Sequence, residues 1–184
     1  MFWVDPRMRG VLPLDGFHIS RSLARAIRKG GYRVSLNEDF AGVVAACAER
    51  DDTWISFEIE ALYCGLHDQG YAHSVEIWRG RSLAGGVYGV AIGGAFFGES
   101  MFSAQTNGSK LALAHLTDHL HRCGFSLFDT QFITPHLATR GAFEIPRREY
   151  RLRLNEALEI ETSIHEKPLI SDGYSVMQRS TQTS

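Results

Sequence analysis

The chain has little of what marks the specialised classes of protein. Its three cysteines, Cys47, Cys64 and Cys123, are too few and too widely spaced for a disulfide scaffold or a CxxC zinc ribbon. They suit a reducing compartment, so a cytoplasmic location is expected. No apolar run approaches the ~18 residues that a membrane-spanning helix needs. The opening Met1-Phe2-Trp3-Val4-Asp5-Pro6-Arg7 lacks the charged-then-apolar order of a secretory leader. Neither sign of charge dominates: 19 Lys and Arg against 21 Asp and Glu leave a net charge of −2. That excludes a globally basic nucleic-acid coat but leaves room for a local basic patch. Gly108-Ser109-Lys110 lacks the rest of a Walker A loop, GxSxG is absent, and no segment repeats at a fixed period.

What remains is the composition of a folded chain. Its 184 residues, 44% hydrophobic and 11% aromatic, suffice for one domain with its own core. Residues through Gly16 read as a connector. Ser20 is placed to cap a helix from about Arg21 to Lys29, closed by Gly30-Gly31. A strand is expected over 32–36. A helix over about 38–50 carries Phe40, Val43, Val44 and Cys47 at helical spacing, and Ile59, Leu62, Tyr63 and Leu66 repeat that spacing in a third helix. The period then changes, giving strands over 74–78, 83–92 and 95–102. The six glycines from Gly85 to Gly98 point to bulges or to close approach of the backbone. Asn107 or Ser109 can cap a helix to about Cys123, a strand follows over 125–133, and Pro146 suits the first turn of a helix through Leu158. Residues 159–184 show no period and read as a partly mobile tail. The fold class is α+β (mixed α/β), with a mostly antiparallel sheet flanked by helices.

Within the strand over 125–133, alternation puts Phe125, Leu127, Asp129, Gln131 and Ile133 on one face. A carboxylate in so apolar a segment is either a tuned proton-handling group or a satisfied structural one. Glu99, beside Gly98 and sharing a face with Phe97 and Met101, is either a substrate ligand or an ion-pair partner. Arg21, Arg25 and Arg28 share a helix face at i, i+4, i+7, with Lys29 next to them. They form either a phosphate-binding stripe or a solvated face. His115 and His119 have i, i+4 spacing but no HExxH glutamate, and no metal is expected.

Several ordered words carry a resemblance. Gly98-Glu99-Ser100-Met101-Phe102-Ser103, Asn107-Gly108-Ser109-Lys110, Phe128-Asp129-Thr130-Gln131, His136-Leu137-Ala138 and Glu144-Ile145-Pro146-Arg147 closely resemble the bacterial leucyl/phenylalanyl-tRNA–protein transferases. Asp5-Pro6-Arg7, His18-Ile19-Ser20-Arg21-Ser22, His73-Ser74-Val75-Glu76 and Gly85-Gly86-Val87-Tyr88-Gly89 extend it to most of the chain. The resemblance implies an acetyltransferase-like (GNAT) fold and transfer of Leu or Phe from charged tRNA to proteins beginning with Arg or Lys, as in the N-degron pathway. It implies no cofactor: aminoacyl-tRNA is the substrate, and neither acetyl-CoA nor a metal takes part. Asp129 and Gln131 fall on the family's catalytic pair, with Glu99 reading the cationic acceptor or bracing the site. Trp54, Tyr63, Val87, Phe96, Leu113, Leu116, Leu120 and Phe128 correspond to its aminoacyl pocket, and Arg21, Arg25, Arg28 and Lys29 become candidate tRNA contacts. Monomer is the default expectation.

Family members usually carry several dozen residues before the segment at which this chain starts, among them an aromatic stretch that helps to hold the terminal adenosine of the tRNA. Residues 1–16 are thus expected to be a remnant ahead of a catalytic domain over 17–158. Thr139-Arg140 stands where Ser-Leu is usual, bringing a charge near a packing position, and Gly108 replaces the usual Ala, a small change. The alternatives are a relative that modifies acidic N-termini, which would need a cation at Glu99, a shortened RNA- or protein-binding module, and an ordinary acetyltransferase.

Overall fold

The computed structural model describes residues 5–49, 53 and 55–182. Seven strands form one sheet: β1 (Met8–Val11), β2 (Arg33–Leu36), β3 (Ala72–Arg79), β4 (Ser82–Ile92), β5 (Ala95–Phe102), β6 (Leu127–Gln131) and β7 (Phe143–Pro146). Their order across the sheet is β2-β3-β4-β5-β6-β1-β7. Every neighbouring pair is antiparallel except β5–β6, which runs parallel. Parallel neighbours need a long crossover, and the helix α4 (Gly108–Cys123) supplies it. This is the expected mixed α/β architecture.

The sheet buries both faces. On one side α4, with α1 (Arg21–Lys29) and α7 (Gly173–Gln182), covers the largest core cluster, to which Val75, Val87, Phe96 and Phe128 contribute. On the other side α2 (Phe40–Ala48) and α3 (Phe57–Asp68) pack over Ala72, Tyr88 and Phe102. Beside them α6 (Arg147–Leu158) packs over Val11, Ala95, Leu127 and Ile145 through Tyr150, Leu154 and Ala157. A short helix, α5 (Pro135–Ala138), links β6 to β7.

The helix ends follow the sequence. Ser20 Oγ accepts from Leu23 N at the start of α1, and Asp39 caps α2 by accepting from Gly42 N at 3.0 Å. Asn107 opens α4 with φ 68° and makes no side-chain cap; Ser103 Oγ accepts from Ser109 N instead. Pro146 stands just ahead of α6, and not inside its first turn. The start of α4 lies against β4 so closely that a Cβ on Gly108 would fall 2.2 Å from the Ala84 carbonyl oxygen. Glycine at 108 is therefore a packing requirement of this chain.

Both ends of the described chain differ from expectation. The connector through Gly16 contains β1, which lies inside the sheet between β6 and β7 and pairs with both. Four residues are too few for a period to show in sequence. The region read as a tail holds α7 and packs inward: Ile164 and Val176 are buried in the α4-side core, and Arg179 pairs with Asp118 of α4. Here partners from distant segments decide the conformation, and those are invisible to a local window. Expected Phe125 pairing also fails, since β6 begins at Leu127 and Phe125 turns to the α4 side. Among the described residues no helix is long and apolar enough to cross a membrane.

Candidate active site

The site is built where the parallel pair comes apart. β5 and β6 are paired at Ala95–Leu127, Phe96–Phe128 and Phe97–Asp129, and no farther. Each strand then carries one residue too many. Against β4, Gly98 faces Gly89 and Ser100 faces Tyr88, leaving Glu99 as the extra residue of β5. Against β1, Asp129 faces Val11 and Gln131 faces Gly10, leaving Thr130 extra in β6. A bulge bends its strand and twists it locally, so a bulge on each of two neighbours drives them apart. Gly98 makes room at the fork, since a Cβ there would sit 2.7 Å from the Phe128 ring.

Between the parted strands lies a cleft of about 280 Å³, lined by the two bulged residues Glu99 and Thr130 together with Val87, Ser100, Met101, Leu113, Phe128, Phe132, Thr134 and Leu137. The bulge also overturns the expected face of Glu99. Phe97 packs toward α6 whereas Met101 packs toward α4, because one inserted residue reverses the alternation that follows it.

Glu99 is half-buried and hydrogen-bonded to Tyr63 of α3, whose ring stands edge-on to Tyr88 at 5.2 Å. Burial raises its carboxyl pKa above the ordinary value; the bond from Tyr63 opposes this, the nearby Asp129 charge adds to it, and Arg9 opposes it. Burial and the Glu99 charge in turn push the Tyr63 hydroxyl up.

Asp129 lies on the opposite side of β6 from Phe128 and does not line the cleft. Only 2% exposed, it accepts from Arg9 Nε at 2.9 Å, from Arg9 Nη2 at 2.6 Å, from the Tyr150 hydroxyl at 2.6 Å and from Gln131 N at 2.8 Å. Asp129 and Gln131 do not share a face as alternation implied. The backbone turns at Gln131, φ 62°, and joins the two by a hydrogen bond. The Gln131 side chain is exposed between Thr130 and Phe132.

Of the expected aminoacyl pocket, Val87, Leu113 and Phe128 line the cleft, and Tyr63 reaches it through Glu99. Phe96, Leu116 and Leu120 are wholly buried behind it in the core, with Phe96 edge-on to Phe128 at 5.2 Å. Trp54 lies outside the described residues. Arg21, Arg25, Arg28 and Lys29 form an exposed face of α1, opposite the buried Leu23 and Ile27. Arg140 is buried, and its guanidinium donates to Thr139 Oγ1, the His18 carbonyl and Ser20 Oγ, tying α5 to the entry of α1. Burial lowers its pKa.

Sequence reasoning missed Arg9, Tyr150, Met101, Phe132 and Leu137. Tyr150 left a usable trace: with Leu154 and Ala157 it forms the buried stripe of a polar helix, where a tyrosine hydroxyl needs a partner. His115 and His119 are structural. Their rings bond Tyr32 and the carbonyls of Ile170 and Ile164, and burial brings His115 down to about 4. Among the described residues no group of three or more His, Cys, Asp or Glu is arranged to hold a metal.

Comparison with known proteins gives the class: the chain is an aminoacyltransferase. It belongs to the leucyl/phenylalanyl-tRNA–protein transferase family, whose model matches residues 11–155. The leucyl/phenylalanyl-tRNA–protein transferase of Cereibacter sphaeroides is 61% identical over 182 residues, 99% of this chain and 85% of that protein. Its namesake in Ruegeria pomeroyi is 57% identical over 188 residues, covering 100% of this chain and 87% of its own length. That of Jannaschia sp. is 59% identical over 168 residues, 91% of this chain and 79% of its own.

Proposed function

We propose that the chain transfers leucine or phenylalanine from its charged tRNA to the N-terminal amino group of a protein that begins with Arg or Lys. The observation that carries this reading is the cleft: an apolar slot with a carboxylate at the fork of two parting strands. Val87, Met101, Leu113, Phe128 and Leu137 offer the donor side chain a surface that grades ligands by size and separates Leu from Phe only weakly. A sheet forked at a parallel pair is compatible with an acetyltransferase-like catalytic domain.

The acceptor nitrogen attacks the ester carbonyl, the bond to the ribose oxygen breaks, and that oxygen takes up the proton that the amine loses to become the free ribose hydroxyl. Ester becomes amide downhill, so no ATP is required, and rate comes from positioning and proton transfer. Asp129 acts on the amine at one remove, through Gln131. Glu99 faces the cationic side chain of the acceptor. Glu99→Gln should therefore lower turnover of an Arg-initiated peptide roughly tenfold or more while leaving tRNA affinity nearly unchanged, the loss of one charge-assisted contact. Equal losses in both measurements would reject that role.

The exposed arginine face of α1 is our candidate for the RNA backbone. Reversing the charge of Arg21, Arg25 and Arg28 should flatten the dependence of tRNA binding on salt, by a log–log slope of about 0.7–0.9 per lost contact. An unchanged slope would remove these residues from the interface. The reaction itself is tested by following labelled leucine from Leu-tRNA to Arg-, Lys- and Glu-initiated peptides. Transfer to the Glu peptide alone would overturn the assignment of the acceptor.

A further inference from the structure

Two side chains with no part in the reaction just described converge on Asp129. Arg9, from β1, grips both carboxylate oxygens: Nε lies 2.9 Å from Oδ1 and 3.1 Å from Oδ2, and Nη2 lies 2.6 Å from Oδ2. Tyr150, from α6, donates its hydroxyl to Oδ2 at 2.6 Å. The Arg9 guanidinium also lies 5.0 Å from the centre of the Tyr150 ring. Burial opposes the charge on Arg9, but the Asp129 carboxylate overcomes this and its pKa is raised.

This arrangement leaves Asp129 little freedom. A guanidinium is a rigid planar fork, and a fork on both oxygens fixes the rotation of the carboxylate as well as its place. The tyrosine completes Oδ2, and Oδ1 receives the Gln131 amide N–H at 2.8 Å. That last bond spans the turn at which Gln131 takes φ 62°, a conformation unfavourable for a residue with a Cβ unless something holds it. Thr130 and Phe132, on either side of Gln131, both line the cleft.

We infer that Arg9 and Tyr150 are positioning residues of the transfer reaction: they lock Asp129 so that it fixes the turn presenting Gln131 beside the cleft. The inference rests on the proposed transfer. It assigns β1 and α6 a task in the chemistry, since each contributes one jaw of the clamp. A mere tie between β1, β6 and α6 would contribute to stability but not to the catalytic constant once the protein is folded.

The test compares wild type with Arg9→Gln, Arg9→Ala and Tyr150→Phe at a temperature where melting curves show all of them folded. Tyr150→Phe keeps the ring packing and carries the test alone if the arginine variants do not fold. Tyr150→Phe should lower kcat for leucine transfer about fivefold and Arg9→Gln about 10- to 100-fold, with KM for Leu-tRNA within twofold of wild type. Added guanidinium should restore part of the kcat of Arg9→Ala. Full kcat in the folded variants would overturn the inference. If the wild type transfers nothing, the transfer reading has failed, and the clamp is judged on the Gln131 amide. Its ¹H–¹⁵N resonance should move upfield and exchange about tenfold faster in Tyr150→Phe or Arg9→Gln. An unmoved resonance would refute the clamp.

Discussion

Asp129→Asn should abolish measurable leucine transfer, a fall of at least about 100-fold, in a protein that still folds. The amide that replaces the carboxylate cannot serve its neighbours. Arg9, Tyr150 and the Gln131 N–H are all donors, so an NH2 placed on either side meets another donor. Loss of the negative charge also leaves Arg9, with a side chain 18% exposed, without its ionic partner. Removing one member of a buried pair typically costs about 3–5 kcal/mol, and the partial exposure of Arg9 puts this case near the lower figure. Urea unfolding and single-turnover transfer, measured on the same preparation, separate the two effects. Full transfer by a folded Asp129→Asn protein would remove Asp129 and its clamp from the chemistry together.

Phe96→Ala should cost about 3–5 kcal/mol of stability, a large share of what a domain of this size possesses. The ring is fully buried between the sheet and α4 and stands edge-on to Phe128, so its removal leaves a cavity that a rigid strand cannot close. Resemblance alone would make Phe96 a wall of the aminoacyl pocket. The structure puts it one layer behind the lining of the cleft, and the two placements differ in outcome. Whatever transfer remains at low temperature should keep the wild-type ratio of Leu to Phe. A changed ratio in a protein of normal stability would show instead that Phe96 touches the donor.

Most of the helices and the central meander were legible because their signals are local. Apolar spacing marked α2, the caps and glycines bounded α1, and the run of glycines announced backbone irregularity in β4 and β5. The fork itself was not legible. A bulge is a relation between two strands, and a reading of β5 by alternation alone put Glu99, Phe97 and Met101 on one face. The same limit hid Arg9: its partner lies 120 residues away, and nothing in Met8-Arg9-Gly10-Val11 discloses the pairing. Asp129 was visible as a carboxylate out of place in an apolar strand, but whether such a group is held by donors or faces a substrate depends on elements that the strand does not contain. For residues 159–182 the missing information was the groove beside α4 that receives Ile164 and Val176.

The insertion of β1 between β6 and β7 sets a schedule for synthesis. β1 leaves the ribosome well before both of its sheet partners, and the wait for Asp129 alone spans 120 residues, roughly 6–24 s at 5–20 residues per second. The β3–β4–β5 meander and α2 can collapse meanwhile, since their contacts are short in sequence. Only four residues long, β1 is a poor template for pairing with other nascent chains during the wait. The clamp on the carboxylate beside the cleft can therefore close only after Val87, Met101 and Leu113, the earlier-made part of the cleft lining, have left the ribosome.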